Sequence, residues 1–261
     1  MVVQELWREL SNAAYTPLRC ELNFGSGGEM PAIDISGSVM EAQLRGFVDR
    51  VDTWQYQNQD YVRVVDYKTG KKDFDYCDVF NGVGLQMLLY LFALEENGQK
   101  IVGDRPVCAG VQYFPARVPY VTADSPNDAQ WEKDRRKLWV RKGLLLSEEA
   151  SLAAMDPSEK MDTLCCKTMK DGSLGGDIAD RAQMGLLKDY VMRILSRMVD
   201  EIASGNVMPN PYTRGASHNA CTFCPYGAVC HKADVEGRRN YKAMTAQRFW
   251  EEVGKEMELH G

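Results

Sequence analysis

The chain has 261 residues, enough for one large domain, and its 44% hydrophobic and 26% charged residues are the proportions of an ordinary globular protein. Its apolar stretches fall short of the roughly 20 residues that a membrane span requires, and its first residues show no signal-peptide pattern. We therefore expect a cytoplasmic protein without a membrane anchor. The formal net charge of −6 argues against a general nucleic-acid binder, but it is compatible with an acidic centre flanked by local basic patches.

The first third of the chain predicts one helix and a set of antiparallel strands. Apolar residues at helical spacing precede Pro17, and the alternating segments that follow are separated by glycine-rich turns. The predicted elements are a helix at 4–15 and strands at 18–24, 33–35, 39–51 and 61–68. In this interpretation Asp49 and Asp66 lie on consecutive strands of a hairpin.

The end of the strand at 61–68 carries the clearest chemistry in the sequence. Alternation places Asp66 and Lys68 on one face and Tyr67 on the other. If Asp49 meets Asp66 across the hairpin, two converging carboxylates can hold a hard cation, and the adjacent ammonium can polarise whatever the cation binds. That pattern favours phosphodiester cleavage. The alternative is a surface Asp–Lys pair at a strand end, which the short Asp-x-Lys pattern alone does not exclude.

A helix and a buried strand are predicted next. Residues 80–97 carry an apolar stripe at helical spacing with Gly98 as a stop, and residues 107–114 predict a buried strand. Because this helix connects two strands, we expect a mixed sheet with a right-handed crossover. Gln86 and Tyr90 lie four residues apart and share a face of the helix, either as site residues or as ordinary packing residues.

The remaining segments are less regular. Asp124-Ser125-Pro126-Asn127 is a helix-start signal for residues 129–140, a glycine-rich loop is expected at 167–177, and a long helix at 182–204. Two groups of basic residues can steer a phosphate backbone, although the second also fits a solvated helix face. The first group is Lys68, Lys71 and Lys72, and the second is Lys133, Arg135, Arg136, Lys137, Arg141 and Lys142.

Eight cysteines without a secretory signal predict thiols or metal ligands rather than a disulfide framework. Three of them, Cys221, Cys224 and Cys230, form a Cys-x2-Cys-x5-Cys pattern that we call the cysteine knuckle. An iron–sulfur cluster takes four thiolates, whereas zinc accepts three cysteines and a histidine such as His218 or His231. Zinc, iron–sulfur and unmetallated thiols are all open interpretations at this point.

Taken together, these segments resemble the C-terminal nuclease domains of the AddB subunits of bacterial AddAB helicase–nucleases, within the RecB-type branch of the PD-(D/E)xK nucleases. The likeness runs from about residue 21 to about residue 231. The motifs that carry it are Gly46-Phe47-Val48-Asp49-Arg50-Val51-Asp52, Val65-Asp66-Tyr67-Lys68-Thr69-Gly70, Gln86-Met87-Leu88-Leu89-Tyr90, Lys142-Gly143-Leu144, Met155-Asp156, Asn210-Pro211-Tyr212 and the cysteine knuckle.

The resemblance implies an α/β fold with a restriction-endonuclease-like core, in which helices flank a central mixed β-sheet. It implies a nuclease core at 1–120, a helical insertion at 121–205 and a cysteine-rich clasp with a terminal helix at 206–261. The implied function is that of a metal-dependent DNA exonuclease acting with an AddA-like helicase–nuclease subunit in double-strand-break repair and recombination.

Site residues follow from the same resemblance. Asp49, Asp66 and the carbonyl of Tyr67 would ligate Mg²⁺ or Mn²⁺, and Lys68 would orient or help deprotonate the attacking water. The cysteine knuckle would hold a 4Fe-4S cluster in the intact protein.

Supporting roles are implied for four further residues. Gln86 and Tyr90 would support the centre from the helix that follows it. Arg50 and Asp52 are expected to form a salt-bridge network and not to bind the metal.

Two departures from the family pattern leave other functions open. RecB-type nucleases usually carry a histidine ligand before the first core strand, whereas His218, His231 and His260 all lie downstream. A fourth cysteine ligand is not evident either, and Cys20 is the nearest to the expected position. The chain is therefore expected to be a piece of a longer protein. The alternatives are a catalytically inactive DNA-binding or scaffold domain of this fold, and a zinc-stabilised interaction module.

Overall fold

The computed structural model describes residues 1–117, 129–215, 218–230 and 239–259. In these ranges the helices are α1 (Val2–Asn12), α2 (Tyr76–Phe80), α3 (Gln86–Asn97), α4 (Gln99–Val102), α5 (Ala129–Lys137), α6 (Glu149–Met155), α7 (Arg181–Ala203), α8 (Gly227–Cys230) and α9 (Ala246–Glu258). Within the same ranges, none of the helices is both long and apolar enough to traverse a bilayer.

The strands of the same ranges build one large sheet and several short pairs. They are β1 (Thr16–Phe24), β2 (Ile33–Ser36), β3 (Glu41–Leu44), β4 (Gly46–Tyr56), β5 (Gln59–Lys68), β6 (Val107–Pro115), β7 (Lys142–Leu146), β8 (Cys166–Thr168), β9 (Leu174–Gly176), β10 (Ile178–Ala179), β11 (Tyr212–Thr213) and β12 (Arg239–Asn240).

The large sheet has six strands in the order β1-β4-β5-β6-β7-β10. The pairs β1–β4, β4–β5 and β6–β7 are antiparallel, whereas β5–β6 and β7–β10 are parallel. A parallel pair needs a crossover connection, and the chain between β5 and β6 supplies it with α3. The mixed α/β architecture expected from the sequence is confirmed.

Helices cover this sheet and close its core. The apolar residues from Met87 to Leu94 of α3 are all buried, and α3 packs against β5 and β6. Elsewhere in the core, Val65, Phe114 and Trp139 form a cluster against which Val2 and Leu6 of α1 pack. Because β5 is buried along most of its length, the residues at its end are held by a rigid element.

The chain divides into two compact units. The first contains Met1–Asp34, Gln43–Phe74 and Gly84–Val191, and the second contains Ile35–Ala42, Asp75–Val83 and Met192–Gly261. The six-stranded sheet lies in the first unit. In the second unit, the ring of Phe249 in α9 packs against those of Tyr76 and Phe80 in α2. The three-part division of the sequence at residues 120 and 205 stays a prediction.

The prediction of one continuous helix at 80–97 was wrong: α3 begins only at Gln86. The structure breaks it into α2 and α3, because Gly82 and Gly84 adopt φ angles of +78° and +71°. That left-handed region is open to glycine and ends a helix. Gly82 and Gly84 were the sequence signal for this break, and the prediction gave more weight to the apolar stripe around them.

The segment at 167–177 was predicted as a loop and is instead a hairpin of β8 and β9. Gly176 permits the pairing, since a Cβ there would lie 2.3 Å from the carbonyl oxygen of Cys165. The helix predicted at 129–140 ends at Lys137, and its start signal at 124–127 lies outside the described residues.

Candidate active site

The β4–β5 hairpin brings Asp49 and Asp66 to the same end of the sheet. Arg50 lies opposite Val65 in the last ladder pair, so Asp49 and Asp66 are the next residues on the two strands. Asp49 Oδ2 accepts a hydrogen bond from the backbone N–H of Tyr67 at 3.0 Å. This contact ties one predicted ligand to the strand that carries the other.

Asp66 is a buried carboxylate at the end of the hairpin. It is 7% exposed, and its Oδ2 is inaccessible to solvent and accepts no hydrogen bond from the described residues. The Lys68 ammonium lies 2.6 Å from that oxygen and pairs with it by charge without hydrogen-bond geometry. The ammonium compensates the charge of the buried carboxylate, and a cation bound at the strand ends would share that negative charge.

Lys68 lies on the same face of β5 as Asp66, as the alternation predicts. Its side chain is 36% exposed, so the ammonium sits between the buried carboxylate and solvent. The geometry allows Lys68 to place a positive charge beside any group that Asp66 holds.

Tyr67 points to the opposite face. Its ring packs edge-on against Phe114, and its hydroxyl accepts a hydrogen bond from Arg50 Nη1 at 2.9 Å. Burial raises the pKa of the Tyr67 hydroxyl, so the phenol stays neutral at physiological pH. Asp49 holds the backbone of Tyr67 and the neighbouring Arg50 holds its hydroxyl, so one short segment of β4 fixes the residue between Asp66 and Lys68.

A buried ion network supports this face of the sheet. Glu9 of α1 accepts hydrogen bonds from Arg50 at 2.7 Å, from Arg63 at 2.8 Å and from Arg141 at 3.2 Å. Asp52 pairs with Arg50 at 2.9 Å and with Arg63 at 2.8 Å. The prediction that Arg50 and Asp52 form a salt-bridge network is confirmed, and Glu9, Arg63 and Arg141 are the members that sequence reasoning missed.

The interpretation of the second basic group as a solvated helix face was wrong for Arg141. This residue lies beyond the end of α5 and is only 2% exposed. It donates to the Trp139 carbonyl and to Glu9. Lys142, the next residue, is on β7 and has a half-exposed side chain.

Gln86 and Tyr90 contact each other on α3. Gln86 Nε2 donates to Tyr90 Oη at 2.5 Å, and Tyr90 packs edge-on against Phe24 with ring centroids 5.2 Å apart. Neither side chain hydrogen-bonds to Asp49, Asp66 or Lys68 within the described ranges. Their supporting role therefore stays a prediction.

Gly46 is where β4 approaches Tyr90 most closely. A Cβ at this position would lie 2.9 Å from Tyr90 Oη and 3.0 Å from the Phe24 ring. We expect Gly46→Ala to lower the free energy of unfolding by about 1–3 kcal/mol, because the two rings must shift. Urea unfolding measures this, with Gly70→Ala as the control, since nothing lies within 4 Å of a Cβ there. Equal stability of the two variants would contradict the close approach.

The described residues do not contain a ready three-ligand metal site. No three His, Cys, Asp or Glu side chains in those ranges come together in a way that could hold a metal ion. The hairpin centre offers two carboxylates, Asp49 and Asp66, and any third ligand from the chain has to be a backbone carbonyl such as that of Tyr67.

The cysteine knuckle lies in the second unit, at a turn followed by α8. Cys221 is half-buried, whereas Cys224 and Cys230 are exposed. His218 Nε2 lies 3.2 Å from a carboxylate oxygen of the buried Asp78, so that ring nitrogen already has a hydrogen-bond partner. His231 and His260 lie outside the described residues.

Three of the five upstream cysteines are buried, unlike those of the knuckle. Cys77, Cys108 and Cys166 are buried and Cys20 is exposed on β1. Burial raises the pKa of the Cys166 thiol to about 11 and that of Cys108 well above its usual value. Such thiols stay protonated at physiological pH and behave as small apolar side chains.

Known proteins resemble this chain over nearly its whole length. The B subunit of an ATP-dependent helicase/deoxyribonuclease from Moorella thermoacetica is 34% identical over 88% of this chain and 20% of its own length. The corresponding subunits from Clostridium kluyveri and Acetivibrio thermocellus are 31% and 30% identical over 96% and 99% of this chain. The chain spans only 22% and 24% of the length of those two relatives.

These findings confirm the resemblance that the motifs predicted. The model of the PD-(D/E)XK nuclease superfamily matches residues 1–231, a range that contains the β4–β5 hairpin, α3 and the cysteine knuckle. The six-stranded mixed sheet flanked by helices agrees with the restriction-endonuclease-like fold. The chain belongs to the PD-(D/E)XK nuclease superfamily.

Proposed function

We propose that this chain is the nuclease part of a helicase–nuclease and that it hydrolyses DNA phosphodiester bonds as an exonuclease dependent on Mg²⁺ or Mn²⁺. The observation that carries the proposal is the convergence of Asp49 and the buried Asp66 at the ends of two paired strands, with the Lys68 ammonium 2.6 Å from Asp66 Oδ2. Membership of a nuclease superfamily supports the same chemistry.

The donor set fits a hard divalent cation. Asp49 and Asp66 supply carboxylate oxygens, and the Tyr67 carbonyl would supply a third oxygen. Mg²⁺ prefers oxygen ligands and keeps several waters, so it needs few ligands from the protein. When bound, the ion supplies an activated water and neutralises charge on the phosphate.

The chain's own residues then divide the remaining work. Asp49 and Asp66 hold the cation at the strand ends, and the Asp49–Tyr67 contact keeps the two strands in register. Lys68 places its ammonium where charge develops on the phosphate oxygens and can donate a hydrogen bond that orients the attacking water. On the other face of the sheet, Arg50 holds the Tyr67 hydroxyl and so helps to fix the backbone that carries Asp66 and Lys68.

Cleavage assays on linear and covalently closed DNA test this proposal. We expect labelled linear DNA to be shortened from its ends in Mg²⁺ and to be stable in EDTA, because the carboxylates alone cannot activate water. Closed circular DNA should stay intact under both conditions. Cleavage of linear DNA that persists in EDTA would contradict metal dependence, and cleavage of the circle would contradict an exonuclease.

A catalytically inactive DNA-binding domain is the second candidate. It is favoured by one observation: in the described ranges no third acidic, histidine or cysteine side chain joins Asp49 and Asp66. Calorimetric titration with Mn²⁺ separates the two candidates. A nuclease should show saturable binding that Asp49→Asn and Asp66→Asn each weaken, whereas an inactive site should show no binding that depends on these residues.

We propose a metal-binding role for the cysteine knuckle as well. Two of its three thiols are exposed and therefore accessible to a metal. A turn follows Cys221 and leads into α8, whose last residue is Cys230. Three thiolates suit zinc with one further ligand, or an iron–sulfur cluster with a fourth thiolate. Iron, sulfide and zinc analysis of protein purified without oxygen distinguishes these, and the absence of all three would leave the knuckle unmetallated and the proposal wrong.

The proposed partners follow from the relatives. Each of those relatives is named as one subunit of an ATP-dependent helicase/deoxyribonuclease, and this chain matches a fifth to a quarter of its length. We therefore propose that an AddA-like helicase–nuclease subunit and a DNA strand are the partners of the intact protein.

A further inference from the structure

A basic groove lies beside the candidate centre, within the first compact unit. Its volume is about 180 Å³, and its uncharged lining includes Tyr113, Pro115, Leu138 and Val140. Its charged lining consists of Lys68, Lys71, Lys72, Asp73, Arg117, Lys137 and Lys142. Six cations and one carboxylate therefore face this space, in a chain whose formal net charge is −6.

The sheet register places the groove next to Asp66. Asp66 of β5 pairs with Tyr113 of β6, and Tyr113 pairs with Lys142 of β7. Residues directly opposite each other on neighbouring strands share a face, and neighbouring strands lie about 4.8 Å apart. The backbone of Lys142 is therefore roughly 10 Å, or two strand spacings, from that of Asp66. Lys68 belongs to both the centre and the groove, so the two are continuous.

Two of the six cations have close carboxylate partners, Lys68 with Asp66 at 2.6 Å and Lys137 with Asp134 at 2.7 Å, whereas Lys71, Lys72 and Lys142 are only weakly neutralised. Asp73 lies 3.5 Å from Lys71 and 3.8 Å from Lys142, which are loose contacts shared by one carboxylate. Lys72 has no carboxylate within 4.0 Å among the described residues, and its ammonium lies 5.9 Å from the centroid of the Tyr113 ring. This arrangement leaves positive charge available to an anionic ligand.

We propose that the basic groove binds backbone phosphates of the DNA strand that is being cut, on the β7 side of the scissile phosphate. This inference rests on the proposed function, and it adds a substrate-binding subsite separate from the carboxylates. A linear polyanion fits the row of cations better than a single small anion does, since they extend over three neighbouring segments: the Lys71–Lys72 turn, Arg117 after β6, and Lys142 on β7. Contacts of this kind are sequence-independent.

The test measures binding rather than cleavage, so that it can fail independently of the proposed function. Fluorescence anisotropy gives the Kd of the full chain for a labelled single-stranded oligonucleotide in EDTA over a range of salt concentrations. We expect Lys72→Gln and Lys142→Gln each to reduce the slope of log K against log salt by about 0.7, which corresponds to one phosphate contact. Lys170→Gln is the matched control, because Lys170 is exposed and outside the groove.

Three outcomes would overturn the groove as a DNA subsite. The first is no measurable binding by the unsubstituted chain, and the second is equal salt slopes for Lys72→Gln, Lys142→Gln and Lys170→Gln. The third is displacement of the oligonucleotide by polyglutamate of the same charge as effectively as by unlabelled DNA. A chain that binds as expected but does not cleave would support the groove and contradict the proposed function.

Discussion

Asp66→Asn is expected to reduce DNA cleavage by at least about a thousandfold, which corresponds to about 4 kcal/mol of lost transition-state stabilisation. The substitution keeps the size and shape of the side chain and removes the negative charge that holds the cation. It also leaves the Lys68 ammonium, 2.6 Å away, without its counter-ion. Initial rates of degradation of end-labelled linear DNA in saturating Mg²⁺ measure the effect.

The same substitution should leave the fold intact. At Asp66 Oδ2 the change breaks the ion pair with Lys68 and no other contact with the described residues. The lost ion pair involves a lysine that is 36% exposed, and such pairs contribute about 1 kcal/mol or less to stability. We expect nearly unchanged circular dichroism and a small shift of the urea midpoint.

Asp60→Asn is the matched control for this loss of charge. Asp60 lies at the other end of β5, six residues earlier, and accepts a long hydrogen bond of 3.3 Å from Gln55. It should cleave DNA at the rate of the unsubstituted chain. If Asp66→Asn also did so, Asp66 would not be a ligand and the assignment of the centre to this hairpin would be wrong.

The strand-end chemistry was predictable because its determinants are local. The alternation in β5 separates Asp66 and Lys68 from Tyr67 without reference to any other element, and the turn between the strands sets which residues of β4 and β5 meet. These two facts were sufficient to predict that Asp49 and Asp66 approach each other. The Asp49 contact with the Tyr67 backbone depends on side-chain geometry, which no pattern of residue types specifies.

The buried ion network was not predictable because its partners are distant in the sequence. Glu9 lies 41 residues from Arg50, 54 from Arg63 and 132 from Arg141. One signal was present, since Arg63 interrupts a run of buried valines and a charge in such a strand needs a partner. The sequence could not say which acidic residue that partner is.

The basic groove was predictable only in part, because some of its residues are neighbours in the sequence and others are distant. Lys68, Lys71 and Lys72 follow one strand and were visible as a group, whereas Lys142 joins them only through the β5-β6-β7 order of the sheet. Arg141 and Lys142 are adjacent in the sequence, and yet Arg141 is buried and Lys142 is half-exposed, because alternation along the chain there directs one inward to Glu9 and the other to the groove. A run of charged residues in a sequence therefore indicates a charged surface only when the order of the strands is known.

Glu9→Gln is expected to destabilise the fold by about 3–5 kcal/mol, because Arg50 and Arg63 then share Asp52 alone and the buried Arg141 loses its carboxylate partner among the described residues. A loss of that size is a large part of the roughly 5–15 kcal/mol that stabilises a typical domain. Urea unfolding at pH 7 measures it. Glu5→Gln on the same helix is the control, since Glu5 pairs with the half-exposed Arg8 and should cost less than about 1 kcal/mol.

The pH dependence of this difference tests the electrostatic explanation. Burial by itself would raise the pKa of Glu9, but Arg63, Arg141 and Arg50 reverse the effect and hold that pKa below its ordinary value of 4.5. A carboxylate whose pKa is lowered by folding stabilises the protein fully above its ordinary pKa and loses that contribution as the pH falls through the folded value. The stability difference between the unsubstituted chain and Glu9→Gln should therefore be constant from pH 7 to about 5 and shrink below pH 4.5. A difference that persists undiminished from pH 4.5 to pH 3 would mean that Glu9 stabilises the fold by packing, because protonation of Glu9 in the unfolded chain must weaken any contribution of its charge over that range.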